Sequence, residues 1–310
     1  MKNSLVFLTF FGLIFSCNFD ENEVVTIIKD SAWEEDNLKG KVKHITLYKS
    51  NIIDIESDKV SNPKISLKKE YSFFGQLLQE EFFDVWEKPT EYTKNEYDKE
   101  NRLRKSISTS FSAEILDYNE KGNPITYIFD FKGIGKSKTF CKYDSTGNNL
   151  LEEITISNKG DTTITSYEKR FGDFAEIKWS KETKEEKGRV IEIEEKYGYD
   201  KEKRIKEYSV SSSVLGNIRT VYEYQANGKL LSTTDYNGIK KMTETIYDDL
   251  KNPLSIKYYV EGFLEREVKY KYIYDKKDNW IERKVFGNNI KELKGEFNLM
   301  FIEKRDLAYF

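Results

Sequence analysis

Histidine, cysteine and proline are scarce in this chain of 310 residues, which has one His, two Cys and four Pro. So few imidazoles and thiols exclude most zinc and haem sites and most Cys–His nucleophile pairs, because such sites need several of these groups together. With 34% charged and 38% hydrophobic residues, the chain is not a multi-span membrane protein. The scarcity of proline suits a backbone whose N–H groups must donate to sheet hydrogen bonds.

Positive charge is not in excess either. There are 51 Lys and Arg against 54 Asp and Glu, a formal net charge of −3 at pH 7. Nucleic acid is therefore not an expected partner, because its binding depends on basic groups that neutralise phosphates. The aromatic content of 15% argues against disorder, and the length is ample for a buried core.

A short apolar run, Leu5 to Phe15, follows a basic start. It is too short for a spanning helix, which needs about 20 residues, and its setting is typical of a signal peptide. The segment Leu13-Ile14-Phe15-Ser16-Cys17 resembles a bacterial lipobox, in which the cysteine becomes the lipidated first residue. We expect a lipoprotein signal peptide over residues 1–16 and a lipid on Cys17. An ordinary signal peptide with an incidental cysteine is the alternative.

The residues after Cys17 are acidic, with Asp20, Glu21 and Glu23 in close succession. This stretch resembles the export tags of surface-exposed lipoproteins in some Gram-negative lineages, and it also suits a solvated tether. We expect residues 17–37 to be a lipidated cysteine and tether that anchor the protein to a membrane. The expected location is the cell envelope, as an outer-membrane lipoprotein, with the cell surface favoured over the periplasmic face. Cys141 then has no disulfide partner, and we expect a buried, inert thiol.

A degenerate repeat of about 25 residues runs through the rest of the chain. Its unit is Tyr, usually Asp, two variable residues, Gly or a substitute, a polar residue, and then Leu or Ile. The eight tyrosine anchors are Tyr71, Tyr97, Tyr118, Tyr143, Tyr199, Tyr224, Tyr247 and Tyr274. The gap of 56 residues between Tyr143 and Tyr199 predicts one further unit, around Tyr167 to Gly172.

Each unit predicts a hairpin turn. Asp at the first position accepts hydrogen bonds within its own turn, and Gly three residues later adopts a left-handed conformation at little cost. The turn residues identified in this way are Asp98, Asp144, Gly122, Gly147, Gly228 and Asp275. Lys203 and Lys251 occupy the glycine position in two other units. We expect those two turns to be weaker, because a lysine side chain disfavours that conformation.

The segments between turns alternate as strands do. Tyr270, Tyr272 and Tyr274 share one face, and Lys269 and Lys271 take the other. We predict an all-β fold over residues 38–310, an antiparallel meander of serial β-hairpins forming a curved open sheet or a β-solenoid-like shell. The segment Ser31-Ala32-Trp33-Glu34 predicts a capping box that opens a short helix ending at Gly40.

These units resemble YD (Rhs-type) repeats, and still more the YD-repeat-type lipoproteins of unknown function on some Gram-negative cells. In that family a Leu-x-Gly-x-Val segment opens the domain and a Tyr-Asp-x-x-x-Asn-Trp unit closes it. Leu38 to Val42 and Tyr274 to Trp280 match the two segments. The resemblance implies spiralled β-hairpin sheets over about residues 38–310. Nothing after Trp280 looks like the toxin domain of full-length Rhs proteins.

The sequence identifies no catalytic residue, no metal site and no cofactor. His44 is a lone histidine on a strand-like segment, and adjacent acids such as Glu80 and Glu81 point to opposite faces of a strand. Cross-strand carboxylate pairs of the kind that glycosidases use stay open. The repeated aspartates lack the dense spacing of calcium loops, and turn capping explains them.

The aromatic excess has two interpretations. The residues concerned are Tyr197, Tyr199, Tyr222, Tyr224, Tyr270, Tyr272 and Tyr274. They form either a stacking platform for glycans or the core ladder of the repeat, and their recurrence at one position favours the core. We therefore expect a non-enzymatic scaffold or binding module for a glycan or protein partner. A polysaccharide-active enzyme and an envelope immunity or assembly factor are the alternatives.

Overall fold

The structure, a computed structural model, describes residues 31–54, 57, 59–171, 177–186, 188–212, 216–289 and 296–310. The predicted signal peptide, Cys17 and the first part of the predicted tether, residues 18–30, lie outside the described residues. Among the residues that are described, no helix has the length and apolar character needed to cross a membrane.

The described chain contains a four-residue helix, α1, and 21 strands. Helix α1 spans Ala32–Glu35. The strands are β1 (Val42–Asp54), β2 (Lys59–Val60), β3 (Lys64–Tyr71), β4 (Leu77–Phe83), β5 (Pro89–Tyr97), β6 (Leu103–Ser108), β7 (Phe111–Tyr118), β8 (Pro124–Phe131), β9 (Gly135–Tyr143), β10 (Leu150–Ser157), β11 (Thr162–Phe171), β12 (Ile177–Glu186), β13 (Arg189–Tyr199), β14 (Ile205–Ser212), β15 (Gly216–Tyr224), β16 (Leu230–Asn237), β17 (Lys240–Tyr247), β18 (Pro253–Val260), β19 (Phe263–Tyr274), β20 (Trp280–Asn289) and β21 (Asn298–Tyr309).

The strands form an antiparallel meander. From β3 to β21 each strand pairs with the next, and the two-residue strand β2 pairs with the end of β1. The predicted fold class, an all-β meander of serial hairpins in a curved sheet, is confirmed. Strand β1 lies between β21 and β3 and pairs with both, so the two ends of the meander are neighbours.

The sheet has two chemically distinct faces. Alternate residues of a strand point to opposite sides, and the cross-strand partners carry this alternation from strand to strand. We call the side that carries Ile45, Tyr71, Tyr127 and Tyr272 the tyrosine face, and the opposite side, with His44 as an example, the charged face. The strand registers place all eight repeat anchors on the tyrosine face. Buried apolar side chains, among them Ile193, Val268 and Val285, lie on it too.

The 56-residue gap between Tyr143 and Tyr199 holds an additional hairpin. Strands β11 and β12 pair antiparallel, with Phe171 opposite Lys178. Tyr167 of β11 is on the tyrosine face. The turn between these strands, residues 172–176, lies outside the described residues.

The aspartates organise the repeat turns through their side chains. Oδ1 of Asp98 accepts hydrogen bonds from the backbone N–H groups of Glu100 (3.0 Å) and Arg102 (2.8 Å). Asp275 does the same for Lys277 (2.8 Å) and Asn279 (2.9 Å). Asp144 accepts from Asn148 and Asn149, each at 3.2 Å. These bonds satisfy turn N–H groups that the sheet leaves free.

The residue three positions after the first turn residue, which is Asn119 or Gln225 in two units and Asp in most others, takes the left-handed conformation whatever its type. Gly122, Gly147 and Gly228 have φ of 79°, 75° and 86°, and Lys203 and Lys251 have φ of 62° and 63°. The two lysine turns keep the closing backbone bond, with Lys203 N–H donating to Asp200 at 2.9 Å. These two turns therefore form with the same geometry as the glycine turns. The hydrogen bonds to the aspartate offset the strain of a non-glycine residue at positive φ.

The N-terminal segment packs on the sheet earlier than expected. The tether was predicted to end at residue 37, but Ala32 N–H donates to the Gly75 carbonyl (2.8 Å) and Trp33 Nε1 to the Val42 carbonyl (2.7 Å). A Cβ on Gly75 would lie 2.8 Å from Ser31 and from Trp33, so this contact requires glycine. Residues 31–37 thus belong to the packed domain. Helix α1 forms, but it ends at Glu35 and not at Gly40, and Ser31 makes no side-chain cap bond, so the predicted capping box is absent.

Candidate functional site: a polar groove on the charged face

The repeat tyrosines tie consecutive hairpins together through their hydroxyl groups. A tyrosine that ends one strand donates to the carbonyl of the first residue of the preceding strand. The pairs are Tyr97 with Leu77 (2.9 Å), Tyr118 with Leu103, Tyr143 with Pro124 (2.9 Å) and Tyr224 with Ile205 (2.8 Å). Each such bond stabilises the fold by about 0.5–1.5 kcal/mol, so the repeat has a structural reason for its tyrosine.

The remaining anchors also have polar partners or buried surroundings. Tyr71 is 1% exposed and donates to Asp36 at 2.5 Å. Tyr274 donates to Asp248, and Tyr247 shares a hydrogen bond with Thr233 at 3.2 Å. Burial is also the main reason why the pKa of Tyr199 is raised.

The tyrosines proposed as a glycan platform pack on one another. The ring centroids of Tyr270 and Tyr272 are 6.2 Å apart, and those of Tyr272 and Tyr274 are 5.8 Å apart. Tyr272 donates its hydroxyl to the Pro253 carbonyl at 2.8 Å. Tyr197 donates to Glu195 at 3.2 Å. These contacts support the core interpretation, in which the rings form a cross-strand ladder.

Cys141 lies in a polar cluster on the tyrosine face. Oε1 of Glu153 accepts from Tyr127 (2.7 Å) and contacts the Cys141 sulfur (3.7 Å), and Oε2 accepts from Tyr167 (2.6 Å). Burial, and then the Glu153 carboxylate, raise the pKa of the Cys141 thiol. The thiol is therefore protonated at neutral pH and is a poor nucleophile.

An ionic cluster supports the place where the ends of the meander meet. Lys69 Nζ contacts Asp36 Oδ1 (2.6 Å) and Glu80 Oε1 (3.0 Å). On the neighbouring β21, the guanidinium of Arg305 lies 3.5 Å from the centre of the Trp280 ring. Burial, and then the charge of Arg283, lower the pKa of Arg305 to about 10, which leaves it charged at neutral pH. The ion pairs of Lys69 and the stacking of Arg305 on Trp280 stabilise this junction on the tyrosine face.

The charged face of the same junction carries a groove of about 440 Å³. Strands β21, β1, β3 and β4 run side by side here, and alternate positions supply the lining. The groove residues are His44, Thr46, Lys68, Glu70, Gln79, Glu81, Asp306 and Ala308 on the charged face, with Ile45, Lys69 and Leu307 contributing from between them. The volume is in the range of small-ligand sites, and eight of the eleven lining residues are polar or charged.

Cross-strand register sets the order of groups across the groove. One row runs Asp306, Thr46, Lys68, Glu81 and then Tyr92 of β5. Directly opposite residues have Cβ atoms about 4.5–5.5 Å apart. One small ligand can therefore contact two neighbouring side chains of the row at the same time. Tyr92 is 39% exposed and gives the row an aromatic end.

The second row brings the lone histidine beside acids. It runs Ala308, His44, Glu70 and Gln79. Glu70 and Glu81 stand diagonally, about 7–8 Å apart by the usual sheet spacing. Partial burial, and then the Asp306 carboxylate, raise the pKa of the nearby Tyr48 phenol. The groove thus offers carboxylates, an amide, two ammonium groups and an imidazole, and the phenols of Tyr48 and Tyr92 lie beside it on the charged face.

Two residues of this groove, His44 and Glu81, are considered from the sequence alone, but nothing in the sequence brings them together. The groove residues come from positions far apart in the chain, and no local motif marks Glu70, Gln79, Glu81, Tyr92 or Asp306. The repeat aspartates that could have suggested calcium instead cap turns. Within the described residues, no cluster of three or more His, Cys, Asp or Glu is arranged to hold a metal ion.

No protein-family model and no curated protein matches this chain. Among solved structures, a porin-like protein from Bacteroides uniformis is 8% identical with a TM-score of 0.32, over 87% of this chain and 99% of that one. A β-barrel-like protein of domain of unknown function DUF1849 from Brucella abortus is 11% identical with a TM-score of 0.22, also over 87% and 99%.

A third similarity is to the TcdB2-TccC3-TEV structure. It is 10% identical with a TM-score of 0.19, over 77% of this chain. The present chain covers 19% of that much longer one. With TM-scores below 0.5, none of these likenesses bears on what the protein does.

Proposed function

We propose that this protein is a lipid-anchored, non-enzymatic scaffold of the cell envelope that binds a glycan in the polar groove. The anchor is Cys17, as the lipobox-like segment predicts, and the location is the outer membrane with the sheet displayed at the cell surface. The resemblance to YD-repeat lipoproteins stays a prediction, and it supports this location.

The groove carries the proposal. Sugar hydroxyls pair well with carboxylates, amides and hydroxyls, and an exposed ring at one end gives an apolar sugar face a stacking partner. Glu81, Gln79 and Tyr92 offer these three chemistries on adjacent strands. The tyrosine face is less suited to binding a glycan, because its hydroxyl groups already donate hydrogen bonds within the sheet, as that of Tyr97 does to the Leu77 carbonyl.

Binding is tested by calorimetry with a panel of neutral and acidic oligosaccharides. Removing one charged or amide partner costs about tenfold or more in affinity, so Gln79→Ala and Glu81→Ala should each weaken binding by that factor. Glu207→Ala, on the charged face of β14, is the matched control. Binding of no oligosaccharide, or equal loss in the control, contradicts the proposal.

A polysaccharide-active enzyme is a second candidate, because Glu70 and Glu81 lie at a separation within the range of glycosidase carboxylate pairs, about 5–10 Å. Incubation of the same oligosaccharides with the protein distinguishes the two functions. The binding module leaves them intact. Cleavage that Glu70→Gln or Glu81→Gln abolishes would establish the enzyme instead.

The anchor is tested separately. Cys17→Ser should release the protein from the membrane fraction, measured by fractionation and by incorporation of labelled fatty acid. Lipidation would be contradicted if the Cys17→Ser variant stayed in the membrane fraction and the parent chain incorporated no labelled fatty acid. That result would leave the proposal of glycan binding in place and remove only the lipid anchor from it.

A further inference from the structure

Three phenylalanines form an exposed cluster at the end of the sheet where Ser31 lies. Phe73 and Phe74 occupy the turn between β3 and β4 and are 50% and 64% exposed, and Phe310 is 49% exposed. The ring centroid of Phe73 is 5.8 Å from that of Phe74 and 5.5 Å from that of Phe310. Three adjoining exposed aromatic rings are unusual on a soluble surface and mark an interaction site.

Two lysines lie beside these rings. Lys41 Nζ lies 3.5 Å from the centre of the Phe73 ring, and Lys43 Nζ lies 5.9 Å from that of Phe310. Both lysines are exposed. We call Phe73, Phe74, Phe310, Lys41 and Lys43 the aromatic–lysine patch.

The patch is rigidly placed. Phe310 N–H donates to the Lys41 carbonyl at 3.0 Å. Ser72 Oγ accepts from Phe74 N–H at 3.2 Å and so fixes the turn that presents the two adjacent rings. Gly75, the next residue of the turn, is the residue on which Ser31 and Trp33 pack. The patch therefore adjoins the place where the chain enters the sheet.

We propose that the aromatic–lysine patch is a membrane-contact surface that inserts its rings into the headgroup region of an anionic lipid bilayer. This rests on the proposed anchor at Cys17. Thirteen residues separate Cys17 from Ser31, and a chain of that length spans at most about 50 Å, so this end of the sheet is tied to the bilayer.

The chemistry of the patch fits lipid. Aromatic rings beside lysines bind the interface through apolar burial and attraction to anionic headgroups. Glu34 and Glu35, on the neighbouring helix α1, are exposed acids, so the rings contribute first and the lysines second. Contact by the patch would fix the orientation of the sheet on the membrane and direct the opposite hairpin ends away from it.

The test uses the full lipidated chain in vesicles of phosphatidylethanolamine with a minority of phosphatidylglycerol. A Cys141→Ser background carries a single introduced cysteine, Phe74→Cys, labelled with an environment-sensitive fluorophore. The matched control is Phe263→Cys, because Phe263 is 79% exposed in a hairpin at the opposite end of the strands. We expect a blue shift, and several-fold stronger quenching by spin-labelled lipid, at position 74 and not at 263.

A further variant with two substitutions tests the contribution of the other rings. In the chain labelled at position 74, Phe73→Ser with Phe310→Ser should return the emission towards that of the control. Equal emission and quenching at positions 74 and 263 would overturn the proposal. So would shielding of position 74 in native membranes but not in vesicles, because the occupant would then be a protein. Failure of the anchor gives a different result, a labelled chain that stays in the supernatant.

Discussion

The side chain of Asn279 and the backbone of Lys39 exchange two hydrogen bonds, although 240 residues separate them. Lys39 N–H donates to Asn279 Oδ1 (2.7 Å), and Asn279 Nδ2 donates to the Lys39 carbonyl (2.8 Å). Asn279 is 1% exposed, and its Nδ2 also donates to Tyr309 Oη at 2.8 Å. The segment that opens the domain is thus bonded to the last repeat turn.

Removal of this amide should destabilise the fold strongly. Asn279→Ala removes a buried amide and leaves the Lys39 N–H and carbonyl without their partner, so we expect a loss of about 2–4 kcal/mol in the free energy of unfolding. Urea denaturation followed by circular dichroism measures it. The exposed Asn217 of β15 provides the control, since Asn217→Ala should change the free energy little. Similar values for the two variants would refute the role of the Asn279 bonds.

Replacement of a strained lysine by glycine should stabilise the fold. Lys203 has φ of 62°, a conformation that strains a residue with a side chain. Lys203→Gly removes this strain and should raise the free energy of unfolding by about 1 kcal/mol. Lys201→Gly, in the same turn at a position without positive φ, should not stabilise. A loss of stability in the Lys203 variant would show that its turn tolerates lysine without strain.

Stability should fall at alkaline pH. Burial raises the pKa of Tyr97 and Tyr118 to about 12, above the ordinary value of 10.0. A phenol whose pKa is higher in the folded chain than in the unfolded chain stabilises the fold. This contribution is fully present at pH values below the pKa of the unfolded chain. That contribution is lost as pH rises from about 10 to about 12.

The measurement is a series of urea titrations across this range. The double variant Tyr97→Phe with Tyr118→Phe has two fewer phenols to ionise, so its decline with pH should be shallower than that of the parent. Parallel declines would mean that these two phenols ionise alike in the folded and unfolded chains.

The repeat was predictable because its signals are local. The alternation around Tyr272 and the spacing of Asp98 from Asn101 each fit within one hairpin, and the register follows once the turn is set. The hydroxyl bond from Tyr97 to Leu77 spans 20 residues and follows from the same repeat.

The junction could not be predicted, because it depends on long-range pairing. Strand β1 meets β21 across 250 to 267 residues, and no single-sequence pattern specifies that partner. The groove lining changes strand at every step, from Asp306 to Lys68 to Glu81, so its carboxylates look like solvated positions in the sequence. Residues 31–37 looked like a tether because their contacts, such as Ala32 to Gly75, lie outside the segment.

We propose that the repeated tyrosines stabilise the sheet through their hydroxyl groups and leave ligand binding to the charged face. Single Tyr97→Phe, Tyr143→Phe and Tyr224→Phe variants remove one oxygen atom each and test it most directly. Each should lower the free energy of unfolding by about 1 kcal/mol and leave oligosaccharide affinity unchanged. The control Tyr92→Phe, at the groove, should leave stability near the parent value. Tyrosine-face variants that keep full stability but lose oligosaccharide binding would contradict the account.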